Sequence, residues 1–137
     1  MNYISYVGLQ TTKVESSTDK MILDYCQIIG LPFDQLVIKR RSGLYVEYRQ
    51  ILMTLLMANY PVTSLQVGQM FNKDHSTVVY SQKVCRDRFE VEGGFRTKYL
   101  EILTQLSTKS GRILRSFKPF EERNITFKPQ NYEAFIN

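Results

Sequence analysis

Residues 63–89 read TSLQVGQMFNKDHSTVVYSQKVCRDRF. A hydroxyl residue, Thr63 or Ser64, can cap a short first helix, because its oxygen accepts from the otherwise unpaired N–H groups of the first turn. Asn72-Lys73 then forms a tight turn, since asparagine adopts the left-handed conformation at low cost. Asp74 can cap a second, longer helix. The stretch therefore predicts a helix-turn-helix, whose second helix can enter the major groove of DNA.

The second helix, predicted over residues 74–89, sorts its side chains into two faces. One face carries Val78, Ser81 and Cys85 at core-facing spacing. The other is an outward stripe at i, i+4, i+7, i+8 and i+11, formed by His75, Val79, Gln82, Lys83 and Arg86. An exposed valine suits a thymine methyl group, unless it packs against a neighbouring helix.

The rest of the chain predicts an all-α bundle with a less regular C-terminal tail. Residues 46–59 are apolar nearly all round, which is typical of a central helix covered on most sides. No alternating pattern favours a sheet. We divide the chain into a lead-in (1–16), a helix-turn-helix domain (17–107) and an irregular basic and aromatic tail (108–137).

Charge is concentrated in the middle of the chain. The 18 Lys and Arg residues and 13 Asp and Glu residues give a net charge of +5. Residues 39–88 hold eight of the cations and three of the anions, so this segment is the basic part. Such a surface attracts polyanions, of which nucleic acid is the commonest, although it can also be a merely solvated face.

Several classes of function are disfavoured. Two cysteines and one histidine give no metal-ligand spacing, so we expect no metal and interpret the cysteines as buried thiols. No apolar stretch is long enough for a membrane span and no secretory signal is visible, so we expect a cytoplasmic protein. Asp74, His75 and Ser76 are sequence neighbours about 100° apart on a helix and cannot form a catalytic relay, so we expect no enzyme and no cofactor.

The sequence also resembles a known family. Residues 67–71 (VGQMF) and 73–78 (KDHSTV) are similar to I-G-x-x-F-G-G-R-D-H-[ST]-T-V, the signature of the C-terminal DNA-binding domain of the bacterial replication initiator DnaA. Upstream, Lys39-Arg40-Arg41-Ser42 matches the family's basic loop, and Arg49-Gln50 follows at the family's spacing. The resemblance covers roughly residues 18–106.

The resemblance implies a Trp-repressor-like helix-turn-helix that binds a short, asymmetric, A/T-rich box in double-stranded DNA. It implies that the basic loop, residues 39–43, enters the minor groove through Arg41, with Arg49 and Gln50 contacting DNA nearby. It implies a phosphate contact for Lys83. The DNA-binding residues expected from pattern and resemblance together are Lys39, Arg40, Arg41, Arg49, Gln50, Lys73, Asp74, His75, Ser76, Thr77, Val79 and Lys83. Asp74 is expected both to cap the helix and to accept from a cytosine amino group.

The sequence departs from the family in its turn and in its length. The family's G-G-R is here Asn72-Lys73, one residue shorter and without glycine, and Gln66 and Tyr48 stand where the family often has proline. No G-x-x-x-x-G-K-[ST] motif is present. We therefore expect a free-standing DNA-binding domain of bacterial or phage origin, acting in replication control or transcriptional regulation. The alternative is a protein-interaction module that binds a partner or itself through residues 108–137.

Overall fold

Six helices make up most of the chain that the computed structural model describes, which is residues 17–38 and 43–119. In chain order they are α1 (Ser17–Ile29), α2 (Phe33–Val37), α3 (Gly43–Asn59), α4 (Ser64–Phe71), α5 (His75–Val91) and α6 (Gly93–Ser110). These described residues contain no β-strand, which confirms the all-α prediction for them. No helix among them combines the length and the apolar character needed to cross a bilayer. The lead-in 1–16, residues 39–42 and residues 120–137 lie outside the described residues.

Helix α3 is the centre of the bundle. Every residue from Ile51 to Ala58 is buried, because α1, α2, α4 and α5 all pack against this helix. The hydroxyl of Thr54, within this run, donates to the carbonyl oxygen of Gln50 at 2.8 Å, so it carries no unpaired polar group into the core. The predicted central helix is confirmed, and it begins at Gly43 rather than at residue 46.

Two tyrosines join the outer helices to the core. The side chains of Tyr25 on α1 and Tyr99 on α6 are fully buried. Their hydroxyls donate to the carbonyl oxygens of Tyr48 and Ser116, each at 2.7 Å. Burial raises the pKa of both phenols well above the ordinary value, so both act as neutral hydrogen-bond donors.

Both cysteines are free and buried, which confirms their interpretation as core thiols. Burial raises the pKa of Cys26 to about 12 and that of Cys85 to about 11. Because the thiolate is the reactive form, these side chains are inert at neutral pH and serve as small apolar groups.

Residues 111–119, which we call the C-terminal strap, pack back across the bundle. Leu114 is buried, and Phe117 stacks on Tyr99 with ring centroids 5.0 Å apart. The side-chain amide of Asn59, the last residue of α3, donates to the carbonyl oxygen of Arg115 at 3.0 Å and accepts from its N–H at 2.7 Å. The irregular tail predicted from residue 108 thus begins at Gly111, and its first nine residues are part of the fold. The interaction role assigned to 108–137 stays a prediction.

Candidate nucleic-acid interface

The interface is built on α4 and α5, and its first fixed point is the start of α4. The Thr63 hydroxyl accepts from the Gln66 N–H at 3.1 Å, and the Thr63 N–H donates to the Gln66 side chain at 2.8 Å. This reciprocal capping box satisfies two helix-end donors. Thr63 is therefore confirmed as a cap, and Gln66 completes it from a position where the resembling family often has proline. Leu65, although apolar, is 57% exposed on this helix.

The turn between the two helices closes through Asn72, which adopts the left-handed conformation with φ 58° as predicted. The N–H groups of Asn72 and Lys73 donate to the carbonyl oxygens of Gln69 at 3.2 Å and Gly68 at 2.7 Å. A Cβ atom at Gly68 would lie 2.6 Å from the carbonyl oxygen of Lys73. Only glycine lets the turn approach α4 this closely. The shortened turn therefore still fixes where α5 begins.

The inner face of α5 consists of Val78, Ser81 and Cys85, all buried as predicted. The Ser81 hydroxyl donates to the carbonyl oxygen of Thr77 at 2.8 Å, which satisfies it inside the core. This face packs on α3 and α4. The rotation of α5 about its own axis is thereby set.

The first turn of α5 presents polar side chains to solvent. Asp74, His75 and Ser76 are exposed, and Thr77 is half-buried. Asp74 occupies the N-cap position, but its side chain makes no capping bond to the backbone, so its predicted role as a cap is confirmed in position only. One carboxylate oxygen accepts from the Ser76 hydroxyl at 3.3 Å, and the other lies 3.9 Å from His75 Nδ1.

The arrangement of Asp74, His75 and Ser76 differs from that of a catalytic triad. The Ser76 hydroxyl bonds to Asp74 and not to His75, whereas a nucleophilic relay needs the serine bonded to the histidine. Among the described residues no group of three or more His, Cys, Asp or Glu side chains could hold a metal ion. The exposed turn offers hydrogen-bonding groups without a catalytic arrangement.

Beyond its first turn, α5 exposes an apolar and aromatic pair next to a lysine. Val79 is 52% exposed and Tyr80 is 60% exposed, so neither side chain is buried against a neighbouring helix. Lys83 is exposed and lies 2.9 Å from a carboxylate oxygen of Asp87, whose hydrogen bond raises the pKa of the lysine. Tyr80 is not among the residues predicted from the sequence to contact DNA.

Arg86 was predicted to belong to the outward stripe of α5, but it contacts the C-terminal strap. Its guanidinium donates to the carbonyl oxygen of Lys118 and lies 5.2 Å from the centroid of the Phe117 ring. Both partners belong to the C-terminal strap. The strap therefore covers the side of α5 on which Arg86 lies.

Arg49 requires a correction, because it was predicted to contact DNA and is only 7% exposed. Its Nη1 donates to the carbonyl oxygen of Leu36 at 3.0 Å and to that of Ile38 at 3.1 Å. Burial lowers the pKa of this guanidinium. These carbonyls lie at the C-terminal end of α2, where a cation is electrostatically favoured. Arg49 is thus a positioning residue that ties α3 to the point where the basic loop begins.

The structure describes only some of the other residues that were predicted to contact DNA near Arg49. Gln50 is half-buried on α3. Lys39, Arg40 and Arg41 lie outside the described residues, and their contacts with DNA stay predictions. Ile38 and Gly43, which flank them, are described, so the ends of the basic loop are defined by α2 and α3.

Ion pairs and hydrogen bonds within the fold hold several of the cations of segment 39–88. Glu47, on α3, forms ion pairs with Arg88 at 3.0 Å and with Lys98. Together with Arg49 and Arg86, Arg88 is therefore engaged within the fold. The helix-turn-helix also carries Lys73 in its turn and Lys83 on its outer face, where Lys83 is exposed and paired with Asp87.

A capped first helix, a left-handed turn and a second helix with a buried inner face and an exposed polar first turn define a helix-turn-helix domain. Residues 19–84 match the family described as "Bacterial dnaA protein helix-turn-helix". This match confirms the resemblance seen in the sequence. The domain is accordingly of a DNA-binding, non-catalytic class.

One curated relative is the "Chromosomal replication initiator protein DnaA" of Bacteroides fragilis (strain YCH46). It is 29% identical over 93 residues, which cover 67% of this chain and 20% of the relative. The chain therefore spans about a fifth of the length of the curated relative it matches.

Proposed function

We propose that this chain binds double-stranded DNA with a sequence preference, placing α5 in the major groove. The observation that supports this most directly is the first turn of α5. Its exposed carboxylate, imidazole and hydroxyl are carried on a helix whose opposite face is locked into the core. Side chains on such a rigid element can be matched to base edges, which differ between all four base pairs in the major groove.

Each residue of that turn has a distinct chemical role. Asp74 accepts from a cytosine amino group, the methyl group of Thr77 packs on a thymine methyl, and Lys73 donates to guanine or phosphate. His75 and Ser76 can donate or accept at base edges. Val79, exposed one turn further along, suits another thymine methyl, and Lys83 suits a phosphate.

The basic loop, residues 39–43, supplies the second groove contact. Arg41, with Lys39 and Arg40 beside it, enters the minor groove, where a narrow A/T-rich stretch enhances the negative potential. Arg49 supports this contact indirectly, by holding the α2 carbonyls from which the loop departs. The favoured target is therefore an A/T-rich box read from both grooves.

The biological process we infer is the control of replication or of transcription at such boxes. The curated relative is named as a chromosomal replication initiator, which favours replication control. Mapping the bound boxes in the encoding genome discriminates the two. Boxes clustered at an origin support replication, and boxes scattered over promoters support transcription.

The test of binding is a selection from random duplexes followed by titration of the recovered and random sequences. We expect His75→Ala to lose roughly 1–3 kcal/mol on the recovered sequence and to lose most of the preference, as expected when a base contact is removed. Lys83→Gln is the matched control, because losing a phosphate contact weakens all sequences about equally.

Two results would contradict the proposal. Wild-type protein that binds random and recovered duplexes equally has no sequence preference. An equal loss on both duplexes for His75→Ala would show that this side chain does not read bases.

A further inference from the structure

A cleft of roughly 380 Å³ lies between the end of α3 and the C-terminal strap. Its strap side, which carries both arginines, lies outside residues 19–84, the part of the chain that matches the family, whereas its α3 side lies within that part. Two of its six lining residues carry a full positive charge and none is acidic: the lining consists of Ala58, Asn59, Tyr60, Arg112, Ile113 and Arg115.

The two arginines lack the counter-charge that Lys20, Lys83, Arg88 and Lys98 have in the described part of the chain. Arg112 lies over the ring of Tyr60, with its Cζ atom 5.1 Å from the ring centroid, and Arg115 is exposed. Within residues 17–38 and 43–119, neither guanidinium forms an ion pair, whereas Arg88 and Lys98 are paired with Glu47. The backbone of Arg115 is held on both sides by the Asn59 amide, so its position is fixed although its side chain is exposed.

The cleft adjoins the helix-turn-helix. Tyr60, in its lining, comes three residues before Thr63, the N-cap of α4. The other end of the strap reaches α5, where the carbonyl oxygen of Lys118 accepts from the Arg86 guanidinium. The first helix of a helix-turn-helix crosses the DNA backbone when the second lies in the major groove. The arginines are therefore close to the start of the helix that is expected to cross the DNA backbone.

We propose that Arg112 and Arg115 form an additional phosphate-binding site, which contacts the DNA backbone beside the sequence read by α5. This inference rests on the proposed DNA-binding function. Guanidinium groups suit phosphate because their donors match its oxygens in pairs. The site adds affinity without sequence preference, since phosphate contacts carry no base information.

The experiment compares the salt dependence of binding for wild type, R112Q/R115Q and the control K20Q/K109Q. The control also removes two cations, which contact Asp24 and Gln27 on α1. The probes are a random-sequence duplex and the duplex recovered by selection, each of about 20 base pairs or two helical turns. Thermal melting followed by circular dichroism verifies that each variant is folded.

Removing two phosphate contacts should lower the log–log salt slope by about 1.8, so between 50 and 200 mM salt the wild type should lose about 12-fold more affinity than R112Q/R115Q. The same change is expected on both duplexes, and the control should keep the wild-type slope. The single change Arg115→Gln alters an exposed side chain and should lower the slope by about 0.9.

A wild-type slope for R112Q/R115Q overturns the inference, because the two arginines then neutralise no phosphate. An equal drop in R112Q/R115Q and K20Q/K109Q also overturns it, because net charge alone then explains the effect. Either of these outcomes leaves the proposed DNA-binding function intact. That function fails if the wild type binds neither duplex or binds both equally.

Discussion

Replacing Gly68 by alanine tests whether close approach of the turn to α4 fixes the recognition helix. The added Cβ would lie 2.6 Å from the carbonyl oxygen of Lys73 and 3.3 Å from backbone atoms of Asp74. Ordinary contact begins near 3.4 Å, so the turn would have to shift by about 0.8 Å. The atoms that must move are backbone atoms, and no side chain can rotate to relieve the contact.

The expected cost follows from two opposing terms. Overpacking costs about 1–3 kcal/mol, while alanine in place of glycine within a helix gains about 1 kcal/mol. The net loss in the free energy of unfolding is therefore about 1 kcal/mol, or roughly 4–8 °C in the melting temperature of a domain of this size. Because the shift moves the start of α5, the preference for the selected duplex should also weaken.

The matched control is Gly94→Ala on α6, where an added Cβ meets no atom within 4 Å. This variant receives the helix-propensity gain without the clash and should be stabilised by up to about 1 kcal/mol. Urea unfolding at 25 °C measures whether each variant raises or lowers the free energy of unfolding. If Gly68→Ala is stabilised as much as Gly94→Ala, the turn is not held by close contact and the reasoning fails.

Three further predictions concern stability. Arg49→Ala leaves two α2 carbonyls without their donor and should lower the free energy of unfolding by about 1–3 kcal/mol; urea unfolding measures this, and an unchanged midpoint would contradict the positioning role. Thr63→Ala should cost about 1 kcal/mol through loss of the cap, whereas Ser64→Ala, one residue later, should leave the melting temperature nearly unchanged; equal effects would refute the capping box. Burial raises the pKa of Cys85 from 9.0 to about 11, so the unfolded chain releases this proton first as pH rises. The free energy of unfolding should then fall by about 1.4 kcal/mol by pH 10 through this thiol, and Cys85→Ala should lack that part of the decrease; an identical alkaline profile for variant and wild type would contradict it.

Features that depend on local pattern could be predicted from the sequence. The all-round apolar character of residues 46–59 indicated the buried helix α3, and the spacing of Val78, Ser81 and Cys85 indicated the inner face of α5. The left-handed turn at Asn72 followed from the conformational tolerance of asparagine. The exposure of His75 and Ser76 then followed from the same helical geometry.

Features that depend on contacts between distant residues could not be predicted. In sequence Arg49, Arg86 and Lys83 are equivalent cations, yet their surroundings in the fold differ. Arg49 bonds to carbonyls 11 and 13 residues away, and Arg86 to one 32 residues away. No periodicity reports such pairings. The packing of the C-terminal strap was missed for the same reason, since an irregular segment has no repeating apolar face.

The packed strap decides where this module can be cut for transfer into another polypeptide. A boundary after Ser110, the last helical residue, would strip Phe117 from the rings of Phe89 and Tyr99, which lie 5.2 and 5.0 Å from it. The resulting fragment would expose aromatic surface to solvent and would tend to aggregate. Its poor behaviour could then be mistaken for a defect in recognition. A fragment meant for fusion to another protein should therefore extend to Pro119.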